Sequence, residues 1–298
     1  MNRWMASLMV LLGGASYGLI SPVVKMAYED GFTPGDVTAS QYVFAAVALV
    51  VIALFRVRDF KKLSGKDVRL LVLLGLCSTG TSVTYYLALS MLPASMAIVM
   101  LFQFVWVVML IDYIVTRTVP NGPKWMALVM VVIGTMLAVN LVGADWSAVS
   151  PLGLLYGFLA SITYSLFLYF YSRVRSDVSA WVNSSIVAVA STVAVSFVFP
   201  PTFLWNGALG DGLWLWAILI GTLGQVLPPV FFNIGIPKVG GSLAGVLGSI
   251  ELPVAVVAAY LVLRETVVGL QWLGIVMILV GIVVSELRLQ RRKVESSV

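Results

Sequence analysis

The chain has 298 residues, of which 60% are hydrophobic and only 10% charged, with a mean hydropathy of +1.03; a soluble domain has roughly a quarter of its residues charged, so this composition reads as a polytopic membrane protein. It has no histidine and a single cysteine, Cys77, inside an apolar run, which excludes disulfides, Cys/His metal sites and Cys–His or Ser–His–Asp catalysis; no cofactor or metal is expected. The net charge of +5 comes from Lys and Arg set between hydrophobic runs, a signal of membrane orientation that gives no reason to invoke nucleic acid.

In chain order, ten segments are long and apolar enough to span a bilayer: Trp4–Tyr28, Val37–Phe55, Val68–Ser90, Ala94–Thr116, Lys124–Leu141, Leu152–Arg173, Ala180–Phe199, Gly212–Ile236, Val239–Leu263 and Val268–Leu287. The expected fold is therefore all-α and integral to the membrane. The first run has no cleavage-type ending and reads as a retained helix rather than a signal peptide. Turn residues mark the joints at Thr33-Pro34-Gly35, Asn121-Gly122-Pro123, Ser150-Pro151, Pro200-Pro201 and Asp211-Gly212. With both termini cytoplasmic, all of the 18 Lys and Arg except Lys25 and Arg264 fall on the cytoplasmic side, the Arg56 to Arg69 loop and the Arg288 to Lys293 tail foremost.

Sliding the chain on itself by 147 residues without a gap sets Tyr17 on Tyr164, Asp30 on Asp177, Ser95 on Ser242, Tyr113 on Tyr260, Arg117 on Arg264, Trp125 on Trp272 and Gly134 on Gly281. Residues 1–145 and 146–298 then form two five-helix copies. Five is odd, so the copies enter the membrane with opposite orientation, the inverted-repeat pattern of transporters, in which the substrate lies near the midplane.

Depth along each helix sorts the polar residues. Glu251 lies roughly 20 Å along the helix axis from Lys238, close to the middle of a ~30 Å hydrocarbon core, where an ionisable group is a functional candidate. Reaching similar depth are Ser16 and Tyr17 on the first helix, Thr79 to Thr84 on the third, Gln103 and Trp106 on the fourth, Ser161 to Ser165 on the sixth and Gln225 on the eighth. The candidate substrate-binding set is Tyr17, Thr81, Tyr85, Gln103, Trp106, Tyr164, Gln225 and Glu251, with Glu251 also the candidate for proton coupling. Pro228, Pro229 and Pro253 are candidate hinges, because proline removes an amide donor and obstructs the helix before it. Helices five and ten, poor in mid-depth polar groups, are assigned to the periphery. A protonated Glu251 serving only packing, and a simple packing kink at Pro228-Pro229, are the plainer alternatives.

Glu251-Leu-Pro253-Val-Ala, the run Ala-Ala-Tyr260-Leu-Val-Leu-Arg264-Glu265-Thr, and Gln271-Trp272-Leu-Gly274 with Gly281 resemble the ninth helix, acidic turn and tenth helix of EamA-type members of the drug/metabolite transporter superfamily. The first copy departs from the pattern, with Trp106 in place of the proline and Thr118 in place of the turn acid. The resemblance implies a ten-helix secondary transporter in a bacterial inner membrane that exports small organic metabolites such as amino acids by alternating access. A lipid-linked or polyprenyl-type flippase of the same superfamily is the alternative. No P-loop is present, an intramembrane aspartyl protease would need paired mid-depth aspartates, and no ring of charges or carbonyls suggests a channel. The expected partners are a small-molecule substrate and the bilayer.

Overall fold

Short polar side chains set where the helices begin. Asn2 Oδ1 accepts from the Met5 amide at 2.9 Å, Thr33 Oγ1 from Asp36 at 3.1 Å, and Ser150 Oγ from Gly153 at 3.3 Å. Ser64 and Asp67 form a reciprocal capping box. Each satisfies an amide that the first helical turn leaves unpaired. A computed structural model describes residues 2–92, 94–120, 122–139, 150–264 and 266–295.

Among the described residues the regular structure is all helical, with no strand. The elements are α1 (Arg3–Glu29), α2 (Pro34–Leu54), α3 (Val57–Phe60), α4 (Gly65–Leu89), α5 (Ala94–Phe102), α6 (Phe104–Thr116), α7 (Gly122–Ala138), α8 (Pro151–Tyr171), α9 (Ala180–Ser196), α10 (Trp214–Gly221), α11 (Leu227–Val239), α12 (Gly241–Gly248), α13 (Glu251–Val262) and α14 (Gly269–Glu295). Seven helical spans among them are long and apolar enough to cross a membrane, counting α5–α6, α12–α13 and the run Leu209–Val239 as one each. Gly122–Ala138, Ala180–Ser196 and Gly269–Ser285 are shorter apolar helices. Asn121, Glu265 and the junction at 145/146 lie outside the described residues.

Three of the apolar runs are interrupted, the fourth without any proline to announce it and the eighth and ninth next to the candidate hinge prolines. The fourth apolar run breaks at Gln103, between α5 and α6, with no proline to cause it. The Gln103 amide bonds Met100 O at 3.3 Å, and its side-chain Nε2 takes Val99 O at 2.9 Å, the carbonyl an α-helix would give to that amide. The ninth run breaks at Ser249 and Ile250, one turn before Pro253, whose missing N–H leaves Ser249 O to the Leu252 amide at 3.3 Å. Ile250 lies 147 residues after Gln103, the same offset that relates Arg117 (φ 57°) to Arg264 (φ 55°), the only described non-glycine residues in the left-handed region. In the eighth run, Thr222–Val226 adopts π-helical register immediately before Pro228 and Pro229. Pro22, by contrast, is carried inside α1, which runs on to Glu29.

Helices α7 and α14 pack along each other, with Gly274 against Gly134 O and Ala138 N, where a Cβ on Gly274 has no room. Their other faces, including Trp125, Val129, Leu273 and Val276, are exposed, as a lipid-facing periphery requires. Helix α1 lies against α11 and α13, and α4 lies against α8 and α9.

Helices α2 and α9 run antiparallel, Thr192 Oγ1 donating to Tyr42 O at 2.9 Å near one end while Ala53 packs with Val178 and Val182 at the other. Polar clasps close both ends of this pair. At the first, the buried Asp36 carboxylate accepts from Asn206 Nδ2 at 3.0 Å, Thr202 Oγ1 at 3.4 Å and Thr33 Oγ1 at 2.6 Å. At the second, Arg175 Nη1 donates to Lys62 O at 3.1 Å and Asp67 Oδ2 at 3.4 Å, while its Nη2 pairs with Asp177 at 2.5 Å.

Candidate functional site

Several interrupted helices bring their polar residues to one place. A cavity of about 110 Å³ is lined by Tyr17 of α1, Ser78, Thr81 and Ser82 of α4, Leu101 of α5, Tyr164 and Phe167 of α8, Gln225 of the π-helical segment and Glu251, the first residue of α13. Three larger grooves, of about 620, 630 and 360 Å³, are mostly apolar and contain no charged residue; they lie against α6–α7, against α4–α9, and between α1, α12 and α14. The smaller cavity is the one where polar groups converge, so it is the candidate site.

Backbone breaks and close packing set Glu251. It stands just past the α12–α13 break, as the first residue of α13. Gly18 of α1 sits against its carbonyl oxygen so closely that a Cβ there would overlap it. Among the described residues its carboxylate forms no hydrogen bond or ion pair. The tyrosines around it are held by ring contacts: Tyr164 is edge-on to Phe104 at 4.7 Å and stacked on Phe167 at 5.8 Å, and Tyr17 is tilted on Phe232 at 5.9 Å. The Tyr164 hydroxyl is buried without a partner. In an apolar interior such a group costs free energy unless something completes it.

The rest of the wall is a hydroxyl stripe. Thr81 Oγ1 donates to Cys77 O at 2.9 Å and lies 3.0 Å from Thr163 Oγ1 of α8, fixing α4 to α8. Ser82 pairs with the Tyr42 hydroxyl at 2.9 Å, and Ser78 and Gln225 are further polar neighbours of that hydroxyl. The π-helical segment is tied to α1 as well: Ser16 Oγ donates to Leu223 O at 2.6 Å. That carbonyl is the i−5 partner of residue 228, where proline supplies no donor.

Of the eight residues expected to bind substrate, Tyr17, Thr81, Tyr164, Gln225 and Glu251 line the cavity together. Gln103 and Trp106 do not. Trp106 Nε1 donates to Gln103 Oε1 at 2.7 Å and its ring stacks on Phe158 at 6.2 Å, so each completes the other at the α5–α6 break. Tyr85, one turn from Thr81, stands beside Tyr86 at 6.4 Å and within electrostatic reach of Glu251, but it is not part of the lining. Pro228 and Pro229 begin α11, and Pro253 lies in the first turn of α13. Ser78, Ser82, Leu101 and Phe167 were absent from the expected set. Ser78, Thr81 and Ser82 recur at i, i+3 and i+4, a stripe that helical spacing makes visible.

Two spans of the chain, residues 4–140 and 151–287, match the model of the EamA-like transporter family. The chain is 27% identical over 296 residues to the threonine/homoserine exporter RhtA of Salmonella typhimurium, covering 97% of this chain and 93% of that protein. It is 24% identical over 204 residues to an uncharacterized transporter of Synechocystis and 28% identical over 134 residues to one of Archaeoglobus fulgidus, spanning 60% and 47% of their lengths, less than two thirds of either. A solved structure described as a protein crystal structure superposes with a TM-score of 0.73 at 17% identity, covering 97% of this chain and 99% of the other, which establishes likeness of fold.

Proposed function

The chain belongs to the EamA-like transporter family of multi-pass membrane proteins, and on that premise we propose that it is a secondary transporter exporting small amino acids or similar metabolites by alternating access. The carrying observation is the cavity where Glu251, with no partner among the described residues, meets tyrosine, serine, threonine and glutamine side chains near helix breaks. A half-buried acid with no counter-charge among the described residues suits a group that is loaded and unloaded with a proton or solute during a cycle. The exporter RhtA acts on threonine and homoserine by its name, and solutes of that size and polarity suit this wall.

In this reading ten membrane helices form two inverted five-helix halves, 1–145 and 146–298. Supporting it are the family spans that begin at residues 4 and 151, the breaks at Gln103 and Ile250, and the left-handed Arg117 and Arg264, all separated by 147 positions. The distribution of Lys and Arg favours cytoplasmic termini, and bacterial relatives favour an inner-membrane location. Tyr17, Thr81, Tyr164, Gln225 and Glu251 hold the solute, Glu251 couples it to protons, and Pro228, Pro229 and Pro253 shape the elements that move.

Counterflow of radiolabelled threonine and homoserine into proteoliposomes tests the reading. The unmodified protein exchanges at least one of them, and Glu251→Gln lowers the rate at least tenfold while eluting as a folded monodisperse species. Unchanged exchange and unchanged pH dependence in Glu251→Gln would remove the acid from the mechanism.

A further inference from the structure

Several hydroxyl groups in these helices satisfy themselves. Thr81, Thr84, Thr192 and Ser196 each donate to the carbonyl four residues earlier, at 2.9, 2.7, 2.8 and 2.7 Å. Ser7 of α1 does not: it is only 1% exposed, and its Oγ has no partner. One turn nearer the start of the helix, Arg3 Nε is also buried and unpartnered. Residues four apart share one side of a helix, so two orphaned donors stand about 6 Å apart along α1. Among the described residues with a buried, unpartnered oxygen, Ser7 alone lines one of the three apolar grooves.

That groove, of about 360 Å³, runs between α1, α12 and α14. Leu247 and Ile282 are its buried floor, and Trp4, Leu8 and Val283 are its exposed rims. The end of the groove at the start of α1 is basic. Lys124 of α7 lies within electrostatic reach of both Arg3 and Asp112, two cations to one acid. Past Val283, the sequence of α14 over residues 286–295 holds four Lys or Arg against two Glu. The first turn of α1, 27 residues long, adds the positive end of a helix dipole.

We propose that this groove binds one diacyl phospholipid of net negative charge, with its phosphate at Arg3, an ester carbonyl at Ser7 and an acyl chain along Leu247 and Ile282. The inference goes beyond the transport reading and does not depend on the solute. Its support is the order of groups along α1: a cation at the helix start, a hydroxyl donor one turn deeper, and below that the carbon of Leu8 and Leu11. A phospholipid presents phosphate, ester and acyl chain in the same order. Both orphaned donors then gain acceptors, which a bare hydrocarbon surface could not supply. The Trp4 ring, half-exposed beside Arg3, suits the boundary between headgroups and acyl chains. A zwitterionic lipid brings its own cation to an already basic place, so the charge selects an anionic one; basic clefts between membrane helices bind such headgroups. In the topology proposed above, the lipid belongs to the cytoplasmic leaflet.

Native mass spectrometry of the purified, delipidated full chain tests this, with phosphatidylglycerol, phosphatidylcholine of the same acyl chains, ether-linked phosphatidylglycerol and soluble glycerol phosphate added in turn. Phosphatidylglycerol is expected to bind one to one, at least fivefold tighter than phosphatidylcholine, and glycerol phosphate is expected not to be retained. The ether lipid lacks ester carbonyls and should bind more weakly than its ester counterpart. Arg3→Gln should erase the preference between headgroups. Ser7→Ala should erase the preference for ester over ether while leaving the lipid-free thermal midpoint in place, because no bond within the chain is lost. Equal binding of the two headgroups, glycerol phosphate retained as well as the lipid, ester and ether lipids bound alike, or a headgroup preference untouched by Arg3→Gln would each overturn the proposal. A stable dimer that excludes lipid would give the groove to a second copy and overturn it too. Should a variant not fold, the headgroup and ether comparisons on the unmodified chain decide.

Discussion

Tyr164 shows how a single side chain separates stability from binding. Its ring is fixed by Phe104 and Phe167, but its hydroxyl is buried with no partner. Removing an unsatisfied polar atom relieves a desolvation penalty of about 1–3 kcal/mol. Tyr164→Phe should therefore leave the thermal midpoint unchanged or raised while weakening solute affinity, measured by titration. A lowered midpoint would assign the hydroxyl a structural task. Helical spacing makes the Ser78, Thr81 and Ser82 stripe legible from sequence, as bilayer depth does for Glu251. Gln103 and Trp106 show where that reasoning stops: depth alone does not disclose that two polar groups three residues apart satisfy each other at 2.7 Å. Tyr42 was illegible for the complementary reason, since its place beside Ser82 depends on how α2 and α4 meet.

At the scale of elements, the interruptions arise from two chemistries. Prolines strip donors from the eighth and ninth runs, whereas Gln103 breaks the fourth by turning its own side chain on Val99 O. Proline makes its effect visible in sequence; an amide side chain competing with its own backbone does not, which is why the fourth run reads as one helix. The π-helical segment offers a direct test. Ser16→Ala leaves Leu223 O without its 2.6 Å donor, and the loss should be about 1–3 kcal/mol in SDS or thermal denaturation. Pro228→Ala restores an amide at the position that π register directs toward that carbonyl. In this background Ser16→Ala should cost markedly less, and a double-mutant cycle with no coupling would refute the link.

Across the whole molecule, the clasps on α2 and α9 close opposite ends of the same helix pair. Arg175→Ala should raise amide hydrogen exchange at residues 62–67 and 175–178 while leaving 33–36 and 202–206 unaffected, and Asn206→Ala should do the opposite. A response at both ends from either variant would mean that they open as one unit. The Arg175 guanidinium, by its hydrogen bond, holds Asp177 below the usual carboxylate range. A depressed acid contributes fully above its unfolded value, near pH 4, and loses its contribution as pH falls through the lowered one. The Asp177 pairing is thus constant between about pH 5 and 8, and pH dependence of transport in that window should disappear in Glu251→Gln and persist in Asp177→Asn.

The unequal wetting of those clasps gives dissolved salt a direction. Arg175 is solvent-exposed, with 43% of its side-chain surface accessible, whereas Asp36 retains only 7%. Counter-ions at about 0.15 M screen exposed charges beyond about 8 Å and weaken such pairs, but reach a buried carboxylate held by neutral donors far less. Raising ionic strength on the face that bathes Arg175 should loosen that end alone, and the same salt on the opposite face should do nothing comparable. A vesicle carrying this protein in one orientation should respond to potassium chloride added to one compartment and ignore it in the other.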